Sequence, residues 1–398
     1  MKIRCIATIR PKQPATLIFV EIETEDGFTG LGETWFGAET VEAEIHTRLA
    51  PHLLGQDATR IEHLTRIMMP YVGAWGSGAE MRALSAVEVA LWDLAAKREA
   101  VPLMQLFGGS VRERIPVYNT CAGPAYVSST SDVRPENFGT GVGADYEDLQ
   151  AFMDRPVELA HSLLEMGIAA MKIWPFDFAE GAAKGDDISP ADLRRALAPF
   201  EAVRAALGDK MALKAELHGL WSLPTALKIC HALEDLDPDW VEDPVRMDRP
   251  DELAELVGQT RCPIAGGETL GGLGQISALI ASKLSYPIVD VTWGGGISFA
   301  RNAASMAEAA GRPIAFHDCS GPVALAVSTH LAMALPNVRE QEITRAFYAL
   351  VYPELVSGLP ILENGKLSLT SEPGHGIKLL PSLQSGEDAV KRVSEQPA

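Results

Sequence analysis

The strings AELHG at 215–219, WVEDP at 240–244 and AGGET at 265–269 decide how this chain folds. Each follows an apolar run and precedes helix-forming sequence, the pattern of a barrel strand whose C-terminal end opens into a loop. Glu216, Glu242 and Glu268 recur about every 26 residues, roughly one strand-plus-helix unit, so in a parallel barrel their carboxylates share one rim. Like charges so placed raise one another's pKa and cannot all stay ionised without a cation. A divalent ion that prefers oxygen answers that need, and Mg²⁺ is the expected cofactor, with these three residues as its ligands.

The period continues beyond the carboxylates. Asp290 closes the apolar run YPIVD, His317 closes PIAFH about 27 residues later, and Glu342 follows about 25 residues on. An aspartate on one imidazole nitrogen fixes the tautomer and raises the basicity of the other, so Asp290 and His317 read as a general base with its orienting partner. His218 lies two residues after Glu216, and a strand's period of two sends both side chains to one face. Lys214 shares that parity and would need a carboxylate partner inside a barrel. The glycines at 294–296 lack the Lys and Ser/Thr of a phosphate-binding loop and read as a turn.

Composition restricts the alternatives. With 398 residues the chain exceeds one ordinary domain, and a barrel of about 250 residues leaves room for a second module. A formal charge of −19 excludes the basic face that nucleic acid requires. The five cysteines are scattered without CxxC spacing, so neither a disulfide framework nor a zinc site is indicated, and a reducing cytoplasm fits. No run approaches the roughly 20 apolar residues of a membrane span, and the N-terminus MKIRCIATIR lacks the features of a signal peptide.

Residues 2–9 and 16–24 alternate as strands, and the turn signal EDGFTG hands over to a third short strand near Gly32. Helical spacing runs from Glu39 to Met69 and from Met81 to Lys97, with Leu84, Val87, Leu91 and Leu94 on one stripe. RIPVYNTCAG at 114–123 reads as the first barrel strand and AAMKIWPFD at 169–177 as the second. Between them, residues 124–148 are rich in Gly, Ser, Pro and Asp without periodicity, a loop expected at the active-site rim. A helix is expected from Pro156 to Met166, and short strands and turns over 358–380.

This series of strand-end residues, the string RALSAVEVALWDLAAKREAVPLMQLFGG at 82–109 and DCSGPV after His317 resemble the mandelate racemase and muconate lactonising branch of the enolase superfamily. The resemblance implies a modified (β/α)7β TIM barrel at 126–350, an N-terminal α+β capping domain at 1–125, and a C-terminal segment, 351–398, that returns to complete that domain. It implies abstraction of the proton next to a carboxylate, with Mg²⁺ stabilising the enediolate. The family's first ligand is most often Asp, and Glu216 is one methylene longer. In the family's acid-sugar dehydratases, a His two residues after that ligand is the general acid, the place of His218. Racemases of the family end the second strand in Lys-x-Lys. Here Lys172 remains, as a cation near the substrate carboxylate, and Trp174 stands where the second lysine would be, which leaves one face of the substrate without a base. Glu342 is the hydrogen-bonding partner on the other side, with Glu340 of the same parity as the alternative.

The resulting expectation is a Mg²⁺-dependent hydro-lyase that converts a polyhydroxy (sugar) acid to its 2-keto-3-deoxy acid. The alternative is an epimerase, racemase or cycloisomerase using the same enolisation. A metal-dependent hydrolase barrel would want an HxH pair, and none occurs. A small carboxylate substrate, a homo-oligomeric state and no nucleic-acid or membrane partner complete the reading.

Overall fold

The computed structural model describes residues 1–73, 76–130, 133–141 and 143–396. It opens with an antiparallel sheet of β1 (Ile3–Pro11), β2 (Leu17–Thr24) and β3 (Thr29–Trp35). The last strand of the chain, Ala389–Glu395, pairs antiparallel with β1, from Cys5 opposite Glu395 to Pro11 opposite Ala389. The chain's two ends therefore close one capping domain. The helix Ala79–Arg98 lies on this sheet, its stripe of Leu84, Val87, Leu91 and Leu94 buried with Ile6, Ile18, Val20 and Ile22. Each such side chain contributes about 1.5–3 kcal/mol on burial. Glycines on β3 permit the contact: a Cβ at Gly30 or Gly32 would stand 2.0 Å from the Ala90 oxygen or 1.9 Å from that of Ala86. Gly32→Ala would push helix and sheet apart.

The helical run expected from Glu39 to Met69 is broken into Ala38–Glu44, a wider turn at Ile45–Leu49, Ala50–Leu53 and Ile61–Met68. Gly55, at φ +79°, follows the Ala50–Leu53 piece, and non-helical chain runs from there to Arg60. The helix Pro156–Glu165 lies where it was expected, and one further turn-rich helix, Asp148–Asp154, precedes it.

A parallel barrel follows, built from β4 (Ile115–Thr120), β5 (Ala170–Ile173), β6 (Ala212–Glu216), β7 (Trp240–Glu242), β8 (Ile264–Gly266), β9 (Tyr286–Val289), β10 (Ala315–Phe316) and β11 (Gln341–Ile343). Neighbours in sequence pair from β4 through β10, β11 pairs with β4, and a bridge between Ile314 and Val338 closes the ring. Helices cover the outside, and this is the (β/α)7β arrangement. β5 is shorter than the expected 169–177 because Pro175 has no N–H to give a ladder, and the chain turns into a tight helical turn at Pro175–Phe178. The lower barrel is filled by Tyr118, Trp240, Ala265, Ile288 and Ala315. Lys214, fully buried, sits 4.0 Å from the Trp240 ring centre and is ion-paired with Asp239 and with Glu340 at 3.1 Å. It is a structural ion group of the barrel, and Glu340 belongs to it.

The C-terminal segment is divided. Among the described residues only its final strand joins the capping sheet, whereas the hairpin Ile361–Glu363 and Lys366–Ser368 adds antiparallel to the start of β4, with Leu367 opposite Ile115. The five cysteines are free and buried, and no helix among the described residues is long and apolar enough to cross a membrane.

Candidate active site

Glu216 and Glu242 are the last residues of adjacent strands and face each other in the register, while Glu268 lies two residues beyond β8. One ligand atom from each comes within 4.8 Å of the others, with Glu216 and Glu242 buried and Glu268 partly open to the cavity. Burial and the Glu216 charge push Glu242 up to about 8, and Asp243 beside it is driven well above the ordinary carboxylate range by burial and by the same glutamates. This is a cluster short of positive charge. Three hard oxygen donors in such a field fit Mg²⁺, and these residues would hold it. Lys172 at the end of β5 supplies one compensating charge, 3.2 Å from Glu216, 2.7 Å from Glu242 and 2.9 Å from Glu342. Burial works to lower its pKa, but the three glutamates outweigh that and hold it charged. Glu342 thus stands joined to Lys172 and not across from it, fixed further by the Thr120 hydroxyl and by the Asp318 N–H at 2.9 Å.

His317 and Asp290 each follow directly on a strand end, and their contact is Nδ1 to Oδ2 at 2.7 Å. Asp290 is held in turn by the Thr292 N–H at 2.6 Å and the Ser320 hydroxyl at 2.7 Å. The other nitrogen of His317 lies 3.4 Å from Glu268, so the imidazole links the Asp290 pair to the acid cluster. Burial lowers its affinity for a proton, yet Glu268 and Asp290 raise it to about 10. His218 reaches the site by a different route from strand parity. β6 ends at Glu216, and His218 lies in the loop at φ +50°, its N–H donating to Glu216 at 2.8 Å and its Nδ1 2.7 Å from Asp177. Burial again opposes the proton, and Asp177 with Glu216 overcomes it, to about 10.

Both histidines, Lys172, Glu268 and Trp174 line one small cavity. Trp174 stands just beyond β5, its ring 5.8 Å from His218 and 5.4 Å from Tyr126. The described part of the 124–148 loop supplies Tyr126, Val127 and Val133 to the lining, while Ser131, Asp132 and Val142 of that loop lie outside the described residues. Sequence reasoning missed Asp177, which is aimed by the turn after Pro175, and Trp293, whose ring lies 4.8 Å from His317. It also missed Arg82 of the capping helix, whose guanidinium sits 4.3 Å from the Trp293 ring centre. The glycines at 294–296 lead into the helix Gly296–Ala309, whose first N–H groups are taken by Glu88, at 2.6 Å from Ile297 and 2.9 Å from Ser298. That turn is an interdomain cap.

A closed parallel barrel with three rim carboxylates under an α+β cap defines an enolase-type α/β enzyme. Residues 155–383 match the enolase C-terminal domain-like model and residues 5–108 the mandelate racemase/muconate lactonizing enzyme N-terminal domain, and the chain belongs to that family of the enolase superfamily. It is 29% identical to a D-galactonate dehydratase from Ralstonia nicotianae over 96% of this chain and 93% of that one. Among solved structures it is similar to an enolase protein from Sargasso Sea environmental sequence, with a TM-score of 0.88, 40% identity and full coverage of both chains. It is also similar to L-talarate dehydratase from a Polaromonas species, complexed with Mg and L-glucarate, with a TM-score of 0.78, 25% identity and coverage of 100% of this chain and 99% of that one.

Proposed function

We propose that this enzyme dehydrates a sugar-type 2,3-dihydroxy acid to its 2-keto-3-deoxy acid. The observation that carries the reading is the pair of histidines, each locked at 2.7 Å by its own carboxylate and both lining one cavity beside the acid triad. Elimination of water needs a base for the C2 proton and a separate acid for the departing hydroxyl, and the two arrangements supply one of each. Mg²⁺ held by Glu216, Glu242 and Glu268 would stabilise the negative charge that develops on the substrate carboxylate. Lys172 adds a fixed positive charge on the same side, pre-oriented by its three glutamates.

His317 takes the C2 proton at the nitrogen not engaged by Asp290. A cation held by Glu268 would weaken the pull of that carboxylate on the imidazole and so favour its neutral form. The electron pair left at C2 forms the double bond to C3 as the C3–O bond breaks. His218, kept charged by Asp177, gives its proton to the leaving oxygen, and water departs. The enol then takes a proton at C3 to become the keto acid. Trp174 cannot accept a proton, and Lys172 is committed to three carboxylates, which disfavours a two-base racemase or epimerase.

Similarity to the galactonate and talarate dehydratases supports the same class. The test is incubation with a panel of aldonic and aldaric acids, read by a 2-keto acid assay with and without EDTA. A 2-keto product that forms only with Mg²⁺ present is expected. Epimerised substrate without any keto acid would overturn the proposal.

A further inference from the structure

The hydrogen bond that Nδ1 of His317 makes with Asp290 fixes one atom of the imidazole, but a histidine's χ2 torsion is broad, so the other nitrogen still swings with the ring. Proton abstraction needs that nitrogen aimed. What packs against the imidazole is Trp293, with ring centres 4.8 Å apart, the shortest ring-to-ring contact among the described residues. Trp293 is buried, and its indole N–H meets no acceptor among the described residues, so packing alone sets the plane of the indole. Two of its neighbours belong to the capping domain. Phe36, just past β3, lies 5.6 Å from it, and the Arg82 guanidinium stands 4.3 Å from its ring centre and 5.4 Å from that of Phe36. Arg82 is aimed by backbone carbonyls of its own domain, with Nε donating to Ser77 at 2.5 Å and Nη1 to Trp35. The turn that carries Trp293 is tied to the cap as well, since the Thr34 hydroxyl donates to the Thr292 carbonyl at 2.9 Å.

We infer that Arg82 is a positioning residue for the base: it holds the Trp293 indole in the plane that keeps the His317 imidazole turned toward the substrate, so the capping domain sets the aim of a barrel side chain. The inference rests on the role of His317 in the proposed dehydration and adds which residues orient it. A guanidinium suits the task, because its planar fork holds two carbonyls and lies over a ring at once, whereas the compact ammonium of a lysine does not. Loss of aim lowers rate more than binding. A reacting atom displaced by about 1 Å loses on the order of a hundredfold in rate, while Lys172 and the acid triad, assigned to the substrate carboxylate, stay in place.

The experiment uses Mg²⁺-loaded full-length enzyme with the acids of the panel above. Arg82→Gln and Arg82→Lys should both lower kcat, and with it solvent-deuterium exchange at C2, by roughly ten- to hundredfold, with KM within about threefold of wild type. Arg82→Lys at the wild-type rate overturns the role of the guanidinium plane. A raised KM at unchanged kcat overturns positioning, because it places Arg82 in substrate binding. Trp293→Phe keeps an aromatic face and should keep kcat within about threefold, whereas Trp293→Leu should fall as Arg82→Gln does, and adding Arg82→Gln to it should cost less than about twofold more. Full additivity means that Arg82 acts without Trp293 and overturns the inference. Crystal structures of wild type and Arg82→Gln decide the point without turnover: the His317 imidazole should occupy more than one χ2 setting in the variant while its contact with Asp290 persists, and a single wild-type setting overturns the inference. The two levels of argument separate in the same measurements. Slowed C2 exchange in Arg82→Gln, with no keto acid even from wild type, keeps the positioning role and removes the dehydration reading. Keto acid formed by that variant at the wild-type rate removes the positioning role and keeps the reading.

Discussion

His317 and His218 are chemically the same side chain, and in the proposed reaction their different surroundings suit them to different tasks. His317 is bound on one nitrogen by Asp290 and lies 3.4 Å from Glu268 on the other, and both carboxylates raise its proton affinity. His218 is bound by Asp177, which stands outside the triad, and it stays charged by that pairing. If the two act in sequence, variants should separate the steps. His317→Asn should abolish both solvent-deuterium exchange at C2 and product, a loss of roughly 10²–10⁴-fold or more. His218→Asn should block product by a similar factor, and NMR of the recovered substrate should still show deuterium at C2 where proton transfer is reversible. Asp177→Asn should follow His218→Asn more weakly, with product formation slowed and exchange kept. Wild-type dehydration by both His218→Asn and Asp290→Asn would remove both assignments and move the search for a base to Lys172.

At the scale of strands, the residues of the proposed chemistry are concentrated where the β-strands end. Glu242 accepts from the Trp240 indole at 2.8 Å as well as from Lys172, and the lysine keeps Glu216 and Glu342 when Glu242 changes. Glu242→Gln should therefore fold with a melting temperature within a few degrees of wild type, while titration calorimetry shows Mg²⁺ affinity reduced by roughly tenfold or more. A collapse of stability in that variant would mark the triad as a structural site. Trp174 after β5 leads to a stereochemical expectation: one C2 configuration is dehydrated in D₂O, and its epimer neither reacts nor exchanges. Exchange of both epimers at similar rates would sink the one-base mechanism. The strand-end residues were legible in the sequence because a (β/α) unit has a nearly fixed length, so Glu216, Glu242, Glu268, Asp290, His317 and Glu342 repeat with it. Asp177 was not, because its aim comes from the turn that Pro175 forces after a strand of only four residues. Trp293 and Arg82 were hidden for another reason, since their contact joins residues far apart in the chain across two domains. His218 was found by an argument from parity that its backbone does not follow.

The molecule as a whole depends on the junction between cap and barrel, which is built from buried acids and imidazoles. Glu33 of β3 accepts from the Ala324 N–H at 2.6 Å, in the first turn of the helix Pro322–Ala334, as Glu88 does for the helix Gly296–Ala309. Behind them Asp93 accepts from the backbone of Leu31 and His375 and pairs with Lys97 at 2.6 Å, and His375 donates to the Leu31 carbonyl. His330, on the barrel helix facing this group, accepts from the Met104 N–H at 3.2 Å, so its Nδ1 must be unprotonated. Burial, with His375 close by, depresses its pKa from 6.5 to about 3. The depressed value sets the sign: the neutral native histidine contributes its full stability above pH 6.5, and that contribution is lost progressively as pH falls toward 3, because the unfolded chain takes up a proton that the native state refuses. At pH 5.5 the loss should already be about 1–1.5 kcal/mol. Glu33 and Glu88, raised by burial to about 8 and about 7, act in the opposite direction between pH 4.5 and those values, so wild-type stability alone would not isolate the histidine. His330→Gln keeps an acceptor for the Met104 N–H and removes the titration. Urea unfolding of both proteins at pH 7.5 and 5.5 should show wild type losing about 1–1.5 kcal/mol more than the variant on acidification. Equal losses in the two would mean that His330 takes up its proton without disturbing the junction.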